Sequence, residues 1–63
     1  MIRRYRFAVA ALSPEQSATI RSAPGAVVDE DDGVWLVVRF PDAVQGDAFD
    51  SSLPASPYDA GWV

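Results

Sequence analysis

The chain has 63 residues, a formal net charge of −4, five Arg, and no Lys, His or Cys. A chain of this length makes one small domain, and it buries only about 60% of the surface its unfolded form exposes. The missing residue types exclude disulfides, thiolate metal ligands, a Schiff-base lysine and the commonest general base. The chain is therefore read as non-enzymatic, with no cofactor, no metal and no small-molecule substrate.

Ten Ala beside no Asn and no Lys is the bias of a GC-rich coding sequence, which suggests a bacterial or phage source. The charge is unevenly spread. Residues 1–25 carry Arg3, Arg4, Arg6 and Arg21 against Glu15, a balance of +3, whereas residues 26–63 carry Arg39 against eight acids, a balance of −7. The acidic total argues against nucleic-acid and anionic-membrane binding. The asymmetry lets the basic strand of one copy meet the acidic region of another. Arg3 to Arg6 followed by Phe7 to Leu12 imitates the start of a signal peptide, but six residues fall short of the usual ~7–15 and no cleavage site follows. No apolar run approaches the ~20 residues that span a bilayer. A cytoplasmic protein is expected.

Along residues 2–11, Tyr5, Phe7 and Val9 alternate with Arg4, Arg6 and Ala8. That period of two predicts a strand with one apolar and one mostly polar face. Ser13-Pro14-Glu15-Gln16 then predicts a helix start: Ser13 and Gln16 can form a capping box, Pro14 suits the first helical position, and Glu15 complements the helix dipole. The helix runs to about residue 22 or 23, where Pro24 and Gly25 stop it. Ile20 is its one large apolar residue.

Residues 26–30 read as a second strand and residues 34–40 as a third, joined by a turn at Asp31-Asp32-Gly33. The hairpin register predicts Val27 on the face of Leu36 and Val38, and Val28 on the face of Trp35 and Val37. The third strand, Val34-Trp35-Leu36-Val37-Val38-Arg39-Phe40, is apolar on both sides, which predicts a central position in the sheet. Pro41-Asp42 ends it. Residues 42–49 have some helical pattern, interrupted by Gly46. Residues 50–63 show no period and contain two prolines.

The expected fold is α+β: β-α-β-β, a three-stranded antiparallel sheet with one helix on one face and an irregular C-terminal tail. This is half of a ferredoxin-like plan. Residues 1–50 form the domain and residues 51–63 the extended tail.

Four clusters are candidates for chemistry. The acidic run Asp29, Glu30, Asp31 and Asp32 lacks calcium-loop spacing, because with Gly33 as the sixth position the first is Val28 and the twelfth Arg39. It reads as a solvated hairpin tip or a contact for a basic partner. Arg4 and Arg6 share one face of the first strand, where they can pair with acids of neighbouring strands or hold a partner's carboxylates. Ser nucleophiles lack a base, and no Gly-rich phosphate loop is present.

The fourth cluster is the second face of the third strand. Val28, Trp35, Val37 and Arg39, joined by Tyr58 and Trp62 from the tail, form the expected partner-binding surface. Either the tail covers that face, through Leu53, Tyr58 and Trp62, or another molecule does. The expected function is a protein-interaction or assembly module, a homo-oligomer or an accessory subunit of a larger complex. One alternative is an acidic inhibitor that fills a basic nucleic-acid-binding groove with residues 29–32, Asp42, Asp47 and Asp50. A weaker one is a structural component of a particle.

Overall fold

The computed structural model describes residues 2–63. In chain order its elements are β1 (Arg3–Ala8), a 3-10 turn (Val9–Ala11), α1 (Pro14–Arg21), β2 (Val27–Asp31), β3 (Trp35–Phe40), α2 (Ala43–Ser51) and β4 (Asp59–Trp62). The strands form one sheet in the order β2-β3-β1-β4, antiparallel at every pairing. This is β-α-β-β-α-β, the full ferredoxin-like arrangement. The expectation of three strands, one helix and an irregular tail is overturned.

Two elements account for the difference. The first is α2. Asp42 caps it by accepting a hydrogen bond from the Gln45 backbone N–H at 3.0 Å. Gly46 costs about 1 kcal/mol in helix propensity, but it lets the helix lie close to the sheet. A Cβ there would sit 3.3 Å from Phe40 Cβ and 3.5 Å from Arg3 Cδ. The close approach buries Phe49, which contributes about 2–3 kcal/mol and outweighs the propensity cost.

The second is β4. Asp59-Ala60-Gly61-Trp62 has weak strand propensity, yet it lies along the outer side of β1. Without it, β1 would present an unpaired row of backbone groups. Pairing runs from Arg6↔Asp59 to Arg3↔Trp62 and continues to Ile2 and Val63, which exchange backbone hydrogen bonds of 3.1 and 2.8 Å.

The capping box of α1 forms as its sequence predicts: the Gln16 backbone N–H donates to Ser13 Oγ, and the Ser13 backbone N–H donates to Gln16 Oε1. β3 is interior, paired with β2 on one side and β1 on the other. Both helices pack on one face of the sheet. There, Ile20 of α1 and Phe49 of α2 close over Tyr5, Phe7, Leu36, Val38 and Phe40. The aromatic rings interlock, Phe40 and Phe49 most closely at 4.6 Å between centroids. No helix among the described residues is long and apolar enough to cross a membrane.

The β2–β3 register also departs from expectation. The turn residues are Gly33, with φ of +87°, and Val34. Asp31 pairs with Leu36 and Glu30 with Val37, but beyond a bulge at Asp29 the register moves by one, so Val28 pairs with Val38 and Val27 with Arg39. A single extra residue reverses the facing of every residue beyond it. Val28 therefore lies on the helix face and Val27 on the other, the reverse of the sequence expectation.

Candidate interaction surface

The positions of the five arginines organise the charge of the molecule. Arg3 shares the helix side of β1 with Tyr5 and reaches α2, contacting Asp47 at 2.7 Å and Asp50 at 3.0 Å. The Tyr5 hydroxyl donates to Asp50 at 2.9 Å. Burial pushes the Tyr5 phenol above its ordinary pKa, and the hydrogen bonds from Tyr5 and Arg3 hold the Asp50 carboxyl below its own. Arg21 at the end of α1 pairs with Asp31 and keeps that carboxyl low as well. Arg39 donates through Nε to Asp29 at 2.9 Å. The bulge at Asp29 makes this last pair possible, since it brings Asp29 within reach of a side chain on the helix-free face.

Arg4 and Arg6 remain. Neither has a carboxylate within ion-pair distance among the described residues. Both lie on the helix-free face, Arg4 opposite Arg39 and Arg6 opposite Val37. The Arg6 guanidinium lies over two rings, 4.5 Å from the centre of Trp35 and 5.1 Å from that of Tyr58. The two rings meet each other at 4.9 Å. Arg6 Nε is buried with no hydrogen-bond partner among the described residues. Arg6 pairs in register with Asp59 of β4, and their side chains form no ion pair. A cleft of about 200 Å³ opens beside these residues, lined by Arg4, Arg6, Asp59, Gly61, Trp62 and Val63.

Val37 is 1% exposed even though no helix covers its side of the sheet. Its cross-strand neighbours are Arg6 and Glu30. Long side chains lying flat over an apolar residue can shield it while keeping their charged ends in water. Trp35 is half-buried in the same way, under Arg6 and against Tyr58.

Of the six residues expected to form the surface, Trp35, Val37, Arg39 and Tyr58 share the helix-free face. Val28 and Trp62 do not. Trp62 lies opposite Arg3 on the helix side, its ring 4.7 Å from the Arg3 guanidinium. Arg4 and Arg6 belong with the surface although the sequence argument left them out of that set. Their alternation with Tyr5 and Phe7 was the signal that placed them there.

The acidic run is largely engaged. Asp29 and Asp31 form ion pairs, and Asp32 accepts hydrogen bonds from the backbone N–H groups of Val34 at 2.9 Å and Trp35 at 2.8 Å. Those bonds hold the Asp32 carboxyl below its ordinary pKa. Glu30 has no ion-pair partner among the described residues. No group of three or more acidic side chains among them is placed to hold a metal ion. Between α1 and α2, a groove of about 450 Å³ is lined by residues such as Thr19, Ala23, Ala48 and Phe49 and carries no titratable side chain.

No family model, no curated protein and no solved structure matches this chain. The ferredoxin-like topology hosts many unrelated activities, so function has to be argued from the surface itself.

Proposed function

We propose that this chain is a non-enzymatic, cytoplasmic interaction module that self-associates, alone or as a subunit of a larger complex, through the helix-free face of its sheet. One observation carries this reading. The two arginines that find no carboxylate among the described residues lie together on the broad face that no helix covers, with Arg6 over Trp35 and Tyr58. Arg, Trp and Tyr dominate binding energy at protein interfaces because they combine large apolar area with polar ends. The inhibitor reading draws less support, since ion pairs to Arg39 and Arg21 already occupy Asp29 and Asp31.

The test is native mass by sedimentation across a range of protein concentrations. The wild type is expected to exceed monomer mass and to approach it on dilution. Trp35→Asp should hold the protein at monomer mass with its circular dichroism retained. Tyr58→Ser serves as the milder variant, because that residue is 66% exposed. A wild type that stays monomeric at every concentration overturns the reading.

A further inference from the structure

We infer that the occupant of the helix-free face is the tip of the β2–β3 hairpin of a second copy; this rests on the self-association proposed above. Charge selects the tip. Among the described residues, the face offers Arg4 and Arg6 without carboxylate partners, and the tip offers Glu30 without a cationic one, with Asp32 two residues further on.

Spacing agrees with charge. Residues two apart on an extended chain stand about 6.8 Å apart on the same side. That step separates Arg4 from Arg6 on β1. Either guanidinium is therefore within a strand step of a carboxylate that Glu30 of a second copy presents.

Shape agrees as well. A Cβ at Gly33 would meet nothing within 4 Å, so the tip projects freely. Val34 beside it is 61% exposed, an apolar group of a size to rest on Trp35 and Tyr58 of the receiving copy. Asp59 lines the receiving cleft as the resident competitor for Arg6.

Glu30 stands at the β2 margin of the same face as Arg4 and Arg6, opposite Val37. The patch is therefore self-complementary, and two copies can pair face to face about a twofold axis, each giving its carboxylate to the other's arginines. Because it depends on exposed ion pairs, assembly should weaken as salt is raised.

The experiment is a charge swap read by sedimentation. Arg4→Glu and Glu30→Arg each alter an exposed side chain with no ion-pair partner among the described residues, so both variants should keep the wild-type circular dichroism. Each alone should weaken self-association by about tenfold or more, as like charges come to face one another. The double variant, carrying both changes in one chain, should recover most of the wild-type association.

Single variants that assemble like the wild type, or a double variant that fails to recover, overturn the hairpin assignment. If Trp35→Asp still abolishes assembly in that case, the face stands and only its occupant is wrong. A monomeric wild type removes both readings. If an octathymidylate probe then shifts the Trp35 indole resonance, the face belongs to nucleic acid.

Discussion

On the helix side of the sheet, Phe7, Leu36 and Val38 lie beneath Ile20 and Phe49, which are carried by separate elements. On the other side Val37 is as deeply buried, yet its cover consists of side chains rooted in the same sheet. The first arrangement is a core in the usual sense: removing a ring leaves a void whose walls are held apart by the backbone of two helices. The second is a thatch of guanidinium and aromatic groups that can resettle or be lifted. The contrast shows how a domain of this size leaves one face without helical cover and still keeps Val37 out of water. Arg6 lies over the Trp35 ring while its own charge has no carboxylate partner among the described residues.

The largest effect should come from the helix side. Phe7→Ala should cost about 3–5 kcal/mol, within the range for removing a buried aromatic ring. A domain of this length holds only about 3–9 kcal/mol in total, so urea unfolding of this variant should begin at or near zero denaturant. A variant that keeps the wild-type midpoint would show that the aromatic cluster is not the stabilising core.

Val37→Ala should cost less, about 1.5 kcal/mol, the transfer value of the lost carbon groups with little cavity penalty. The same urea titration sharpens the contrast. A loss above about 3 kcal/mol, the level of core truncations, would mean that the side-chain cover is as rigid as a helix.

The smallest effect is that of acid. Asp50, Asp31 and Asp32 all titrate lower in the folded chain than an ordinary carboxyl. A lowered folded-state pKa contributes stability that is present above the unfolded value, near pH 3.9, and fades as pH falls through the folded value. The urea midpoint should be level from pH 7 to about 5 and decline below about 4. An increase in stability below pH 4 would contradict the hydrogen bonds assigned to these groups.

The sequence made some of this architecture legible and hid the rest for identifiable reasons. Ser13 and Gln16 announce α1 because a capping box depends only on residues three apart. The period of two puts Arg4 and Arg6 on one side of β1, and Trp35 and Val37 on one side of β3; the pairing of the two strands, which no local pattern records, brings those sides together. Gly46 conceals α2, because its cost is local while its benefit, contact with Phe40, comes from a strand earlier in the chain. β4 is hidden for a similar reason. Asp59 to Trp62 form a strand because β1 has an open edge, not because of their own composition. The bulge at Asp29 leaves no mark in the hydrophobic pattern, so the faces of Val27 and Val28 were reversed. Tyr58 reaches the helix-free face and Trp62 does not. The residues approaching β4 decide this, and composition does not record it.

The reciprocal backbone bonds between Ile2 and Val63 have a consequence for how this fold can be carried. They bring the first and last described residues to the same corner of the sheet. Such a unit can be set into a surface loop of a host protein without prying the loop apart, and a short linker suffices to circularise it.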